Sequence, residues 1–219
     1  MGRAGDFLVV GLGRFGSALA GELEDLNRDV LGVDLDPRFV QAHAEALTHV
    51  VEADATDVEA MRELGAADFQ TAVVAIGSNI EASVLATSVL VDLKIPRIVA
   101  KAITSAHGRI LERVGAHRVV FPEADQGRAE ARRVAGRNII DMMEVEGGYL
   151  LVETLTPANL VGKRIDEAAL RSGFGVTVVA IRHQGEAPSH ASAETVIQSG
   201  DILVVAGETA RVERFVELR

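Results

Sequence analysis

Cysteine and tryptophan are missing from the 219 residues, and tyrosine occurs once. Without cysteine the chain has no disulfide, no thiolate nucleophile and no thiolate metal ligand. Aromatic side chains make up only 4% of the chain, which argues against the stacking platforms that hold single-stranded nucleic acids. Positive charge is short as well: 22 Lys and Arg stand against 32 Asp and Glu, a formal net charge of -10. Nucleic-acid binders carry a basic face or stripe, so no nucleic-acid partner is expected. Long apolar runs are lacking. The richest, Val84–Leu93, is broken by Thr87, Ser88 and Asp92, well short of the roughly 18 uninterrupted residues of a membrane helix. The opening MGRAGDFLVV has no extended apolar region and no small-residue cleavage site. These absences predict a cytoplasmic protein.

What remains is a chain of globular composition, 48% hydrophobic and 25% charged, long enough to bury a core. Short β-branched runs alternate with amphipathic stretches. The pattern predicts strands at Asp6–Val10, Asp29–Val33, His49–Val51, Thr71–Ile76, Arg97–Lys101 and Arg118–Phe121. Helices are expected between them, at Arg14–Leu26, Pro37–Leu47, Asp57–Leu64, Asn79–Leu93 and Ser105–Val114. Strands separated by helices imply right-handed parallel crossovers. Runs such as FLVV and TAVVAI are apolar throughout, as strands covered by helices on both faces must be. The expected fold is therefore α/β, a doubly wound Rossmann-type parallel sheet over residues 1–122.

After Phe121 the rhythm breaks. Residues 123–143 read as a charged helical connector that supplies subunit contacts. Residues 144–219 read as a small α+β lobe, with strands at Tyr149–Leu155, Val176–Ile181 and Ile202–Ala206 and a helix near Asp166–Arg171.

Gly11-Leu12-Gly13-Arg14-Phe15-Gly16 fits G-x-G-x-x-G between a strand and a helix, and Asp34 ends the next strand. In this context the motif signals nucleotide binding. Gly11 permits the tight turn, Gly13 lets phosphate approach the backbone, and Gly16 lets helix and strand pack closely. The free N–H groups of the helix N-terminus face phosphate oxygens. Asp34 can accept hydrogen bonds from a ribose diol and would repel a 2′-phosphate, which favours an adenosine nucleotide over the 2′-phosphorylated dinucleotide. Arg14 adds a guanidinium suited to the outer phosphates of a di- or triphosphate.

Ligands of open α/β sheets sit at the carboxyl ends of the strands. That rule adds Asp54 and Ala55 after the third strand and Ile76, Gly77, Ser78 and Asn79 after the fourth. Lys101, Ala102 and Ile103 follow at the fifth, His107 in the next helix, and Glu123 after the sixth. A carboxylate beside phosphates calls for a cation between them, so Glu123 is a candidate ligand for Mg2+ or Ca2+. As an acid just after Pro122, it equally suits a helix N-terminus.

Catalytic groups are sparse. Tyr149 has Glu153 four residues on, where short-chain reductases need lysine, and six histidines are scattered without metal-like spacing. There is no Gly-x-Ser-x-Gly elbow and no Gly-Lys-Ser/Thr phosphate loop. Binding without turnover is the expected mode. A stand-alone NAD(H)-dependent redox sensor or oxidoreductase is the alternative.

Taken together, Val9-Val10-Gly11-Leu12-Gly13-Arg14-Phe15-Gly16, Ala53-Asp54-Ala55-Thr56, Val74-Ala75-Ile76-Gly77-Ser78-Asn79 and Phe121-Pro122-Glu123 resemble the first lobe of the RCK family. The likeness is strongest to the cytosolic, KtrA-type subunits of Ktr/Trk potassium uptake systems. Leu160-Val161-Gly162-Lys163 and Gly200-Asp201-Ile202-Leu203-Val204-Val205-Ala206-Gly207 resemble that family's C-terminal lobe. The resemblance implies a homo-octameric ring built from dimers, peripheral to the inner face of the cell membrane on a potassium-translocating subunit of the KtrB type. It implies ATP and ADP as alternative occupants of the pocket, with NAD(H) in the same place. It assigns Arg14 to the terminal phosphate of ATP and Glu123 to a divalent cation near the subunit interface. Relatives also bind cyclic di-AMP in the C-lobe, for which Ile165, Val178 and Pro188 are candidates without a sharp motif.

Overall fold

The computed structural model describes residues 7–135, 138–145 and 147–218. It divides into two compact units, Met1–Ala124 and Asp125–Arg219.

In the first unit, strands β1 (Phe7–Val10), β2 (Val30–Asp34), β3 (His49–Glu52), β4 (Thr71–Val74), β5 (Arg97–Lys101) and β6 (Arg118–Val120) form one sheet. Their order is β3-β2-β1-β4-β5-β6, and every pair is parallel. Helices α1 (Arg14–Asp25), α2 (Pro37–His43), α3 (Val58–Glu63), α4 (Ile80–Asp92) and α5 (Ser105–Val114) join them. Alternate residues along β1 enter different cores. Leu8 and Val10 pack with Met61, Leu90, Ile98 and Leu111, whereas Val9 packs with Leu12, Ala20, Val30 and Leu47. Two covered faces explain the continuous apolar strands. Each Leu or Ile fully buried here stabilises the fold by roughly 1.5–3 kcal/mol.

The helices start where short polar side chains can accept a free amide. Asp36, Asp57, Asn79 and Thr104 do so for Arg38, for Glu59 and Ala60, for Ala82 and for His107. The expected doubly wound parallel fold is thus the observed one. The strand order changes direction at β1 and β4, and that switch point is where such sheets open a crevice.

The second unit contains an antiparallel sheet of β7 (Ile139–Val145), β8 (Tyr149–Leu155), β9 (Val176–Arg182), β10 (Ser189–His190) and β11 (Ile202–Glu208), in the order β10-β9-β11-β8-β7. Helix α6 (Pro122–Ala135) leads into it, with α7 (Leu170–Gly173) and α8 (Thr209–Val216) further on. Leu150, Val152, Val178, Ile181, Leu203 and Val205 face a core closed by Val212 and Phe215 of α8. Phe174 meets Phe215 edge to face, with centroids 5.7 Å apart.

Several local expectations need correction. The connector is expected to be helical through Met143, but among the described residues helix covers Pro122–Ala135 and Ile139–Val145 is an edge strand paired antiparallel with β8. Its Met and Glu residues favour helix in isolation, and ladder hydrogen bonds to β8 override that preference. The helix expected near Asp166–Arg171 is a single turn at Leu170–Gly173. Ser189–His190 and helix α8 also go beyond the expected elements. Asp6, expected to open β1, lies outside the described residues.

Candidate functional site

A cleft of about 880 Å³ opens at the carboxyl ends of β1, β2, β4 and β5, lined wholly by the first unit. Its floor is the glycine loop. Gly11 has φ +91°, a left-handed conformation that favours glycine, and its amide donates to Val33 O at 2.7 Å. A Cβ on Gly16 would lie 1.8 Å from Gly11 O, so no side chain fits there. Around Gly13 a Cβ would meet nothing within 4 Å, which leaves room for a ligand to reach the backbone. Gly13 is also the N-cap of α1 and supplies no side-chain hydrogen bond. The first-turn amides therefore have no intrahelical acceptor and point out of the helix end.

Asp34 stands at the end of β2 on the cleft wall. Its Oδ2 accepts the Leu12 amide at 2.6 Å and its Oδ1 accepts the Asp36 amide at 2.9 Å. The carboxylate thus fixes the glycine loop while each oxygen keeps a lone pair for a ribose hydroxyl. Asp54 accepts the amide and hydroxyl of Thr56, closing the turn after β3, and Ala55 is buried behind it. Asn79 Oδ1 caps α4 through the Ala82 amide, with Ile76, Gly77 and Ser78 leading up to it along the cleft.

Opposite, Lys101 ends β5 and is only 8% exposed. Its Nζ donates to Glu123 Oε1 at 2.6 Å and lies 5.7 Å from the centroid of the Phe15 ring. This pairing holds the Glu123 carboxyl below the usual carboxylate range, with Arg14 adding a weaker charge effect. Arg14 is exposed in the first turn of α1, and no hydrogen bond or ion pair holds its guanidinium among the described residues.

Most of the expected site residues therefore line one cleft: Gly11, Gly13, Arg14, Phe15, Asp34, Asp54, Ala55, Ile76, Gly77, Ser78, Asn79, Lys101, Ile103 and Glu123. Gly16, Ala102 and His107 do not. Gly16 serves the packing of α1 against the loop, and Ala102 is buried with its amide on Val120 O. His107 is 1% exposed; its Nδ1 accepts from the Ile103 amide at 3.5 Å, and its Nε2 has no partner among the described residues. Burial lowers its pKa, so the imidazole is kept neutral. It supports the loop bearing Ile103 from below. In the second unit, Val178 belongs to the core, Ile165 packs against that core and Pro188 is exposed.

The cleft also has an apolar wall that the motif does not reveal. Leu35 of the β2–α2 turn and Pro37 and Phe39 of the first turn of α2 line it, with Leu35 66% exposed. A large apolar side chain directly after the acid was the available signal. Among the described residues no group of three or more His, Asp or Glu side chains is placed to hold a metal. Glu123 offers one carboxylate, which fits a Mg2+-like ion held largely by phosphate and water.

This parallel sheet, glycine loop and acid define a Rossmann-type nucleotide-binding fold, followed by a separate antiparallel lobe. Residues 7–122 match the TrkA-N domain and residues 150–219 match the TrkA-C domain. Ktr system potassium uptake protein A of Bacillus subtilis (strain 168) is 37% identical over 209 residues, covering 95% of this chain and 94% of that protein. The crystal structure of the GsuK RCK domain aligns with a TM-score of 0.65 at 20% identity, over 97% of this chain and 48% of that one. The GsuK channel bound to NAD aligns with a TM-score of 0.64 at 20% identity, over 94% and 38%. The chain belongs to the family of TrkA-N and TrkA-C domain proteins, as its resemblance to RCK proteins implied. No helix among the described residues is long and apolar enough to cross a membrane.

Proposed function

We propose that this chain is the nucleotide-sensing cytosolic subunit of a potassium uptake system. In this reading, dimers assemble into an octameric ring on the inner face of the cell membrane, against a potassium-translocating subunit of the KtrB type. Pro122–Met143 supplies subunit contacts. ATP and ADP favour different ring shapes, and the chain acts by binding without turnover. The name of the Bacillus relative, matched over nearly its whole length, supports the potassium system. NAD(H) is a further occupant of the same cleft, since Asp34 suits its ribose diol equally and the GsuK neighbour is named as bound to NAD.

One observation supports the nucleotide reading: Arg14 projects from the open first turn of α1 into the cleft with no hydrogen-bond or ion-pair partner among the described residues. A nucleotide shifts a ring only by its differential affinity for two shapes. Arg14 supplies that difference by pairing with the phosphate that ATP has and ADP lacks.

Calorimetric titration with ATP, ADP, NADH and NADPH, with and without Mg2+ or Ca2+, tests the reading. ATP or ADP should bind best and NADPH weakly. Arg14→Ala should weaken ATP by about tenfold or more and ADP by less, in line with a charge-assisted bond of about 1.5–3 kcal/mol. Equal losses for both would remove Arg14 as the sensor. Strong NADH binding with weak adenine nucleotides would favour the redox-sensor alternative.

A further inference from the structure

His107 is sealed inside the first unit and does not line the cleft, yet its hydrogen bonds run to a turn that does. Thr104 is the N-cap of α5, and its Oγ1 accepts the His107 amide at 3.1 Å. The imidazole reaches back in return, its Nδ1 accepting the Ile103 amide. The exchange has the form of a capping box, in which the third residue of a helix, usually Glu or Gln, accepts an amide at the helix start. Here the acceptor is an imidazole nitrogen, which a proton can take away. Ile103 lines the cleft and stands over Gly77, where an added Cβ would lie 3.5 Å from Ile103 Cγ2. The turn that His107 holds therefore fixes the cleft wall on that side.

An amide nitrogen only donates, so Nδ1 presents its lone pair and the neutral ring carries its proton on Nε2. A second proton would go to Nδ1 and face the Ile103 N–H, two donors opposed in a site closed to water. Either the turn or the ring must then move. Burial is the one cause that holds the His107 pKa below 6.5. Around the ring, Glu81 and Asp92 of α4, Arg109, Glu112 and Arg113 of α5, Arg97 of β5 and Arg118 of β6 are all exposed. Lys101 of β5 is paired with Glu123 of α6.

We propose that His107 is a positioning residue for the cleft, whose protonation breaks the capping box and releases the Ile103 turn, so that nucleotide affinity falls with pH. This rests on the reading of the cleft as a nucleotide site. Binding and protonation then oppose one another. A nucleotide that needs the turn in place also weakens the hold of the ring on its second proton, because the coupling is reciprocal. Affinity is constant while the ring is neutral. It declines as pH falls through the folded-state pKa, and it levels off once the ring of the bound form is protonated as well.

The test titrates the full chain with ATP by calorimetry at pH 7.5 and pH 5.5, below the melting temperature at both. Between the two, the native chain should lose about three- to tenfold more affinity than His107→Gln, within the limit of about tenfold per pH unit that one proton sets. The titration of the ATP phosphates is common to both chains and cancels. At pH 7.5 His107→Gln should match the native chain, because its amide oxygen accepts the Ile103 N–H, whereas His107→Ala should bind more weakly at both pH values. By NMR, the Ile103 amide resonance of the native chain should follow the titration of the His107 ring, and saturating ATP should move that titration to lower pH. Parallel affinity profiles in the native chain and His107→Gln would overturn the proposal, and so would an Ile103 amide indifferent to the ring. Either result leaves the nucleotide reading standing so long as ATP binds at pH 7.5. A native chain that binds no nucleotide at pH 7.5 removes that reading and this coupling with it. Should His107→Gln not fold, His107→Asn, which places an amide oxygen near the position of Nδ1, gives the same comparison.

Discussion

The Asp34 carboxylate accepts the Leu12 amide at 2.6 Å across 22 residues of sequence, and so ties the glycine loop to the end of β2 before any ligand arrives. Its second oxygen holds the Asp36 amide at 2.9 Å, which sets the turn into α2. The acid that would read the ribose is therefore also a structural brace. Asp34→Asn offers one acceptor and one donor to two amides, so one amide must face an N–H. The ligand-free chain should lose about 1–3 kcal/mol of stability in thermal melts, the cost of a buried group left unpaired. Nucleotide affinity should fall with it. A melt identical to the native one would confine the carboxylate to ligand contact.

The two later glycines of the loop differ in what they protect. At Gly16 an added Cβ would overlap Gly11 O, so Gly16→Ala must move α1 or the loop. Overpacking of this kind costs about 1–3 kcal/mol or more. At Gly13 the backbone is extended at φ -67° and ψ -174°, and the space is open. Gly13→Ala should cost less than about 1 kcal/mol, the difference between these residues as helix N-caps. Its methyl group would instead stand where a phosphate approaches. Melting should separate the variants and calorimetry should unite them, with both weakening ATP.

His107 makes the first unit sensitive to acid. Burial lowers its pKa below the ordinary 6.5. The unfolded chain therefore takes up a proton near pH 6.5 that the folded chain still refuses. Stability is intact above that pH, declines as pH falls below it, and stops declining once the folded-state pKa is passed. One proton limits the slope to about 1.4 kcal/mol per pH unit. Chemical denaturation followed between pH 7 and pH 5 should show this slope in the native chain and a flatter one in His107→Gln. Equal slopes would assign the acid response to other groups.

What the sequence revealed was local, or carried by the backbone. The loop from Gly11 to Gly16 announces itself because each glycine answers a steric demand within a few residues, and FLVV announces a doubly covered strand by composition alone. The Lys101–Glu123 pair did not announce itself, because it joins the ends of β5 and β6 across 22 residues that give no periodic signal. His107 resembled a ligand group in sequence because nothing there shows that its ring lies beneath the β5–α5 turn. Ile139–Val145 does not read as a strand because an edge strand with Ile140, Met143 and Val145 exposed lacks the alternation of a half-buried strand. The pattern of α8, by contrast, was present: Val212, Phe215 and Val216 at helical spacing form its buried face.

The second unit hangs a strong constraint on Asp201. This residue is 1% exposed, and its carboxylate accepts the Gln198 amide at 2.7 Å and lies 2.9 Å from His183 Nδ1. Its own carbonyl takes the Thr156 amide. One side chain thereby joins the turn before β11 to the end of β9. Asp201→Ala leaves the Gln198 amide and the His183 ring without their acceptor, and the second unit should lose about 1–3 kcal/mol. Asp201→Asn retains an acceptor for one of the two and should lose less. His183→Ala, which removes the partly exposed partner and leaves the Gln198 bond in place, should cost least. Every residue lining the cleft lies in the first unit, so on the proposed function ATP affinity should hold in all three variants below the melting temperature of the second unit. Melting curves in which Asp201→Ala and His183→Ala are equally destabilised would place the weight on the His183 contact and remove it from the turn.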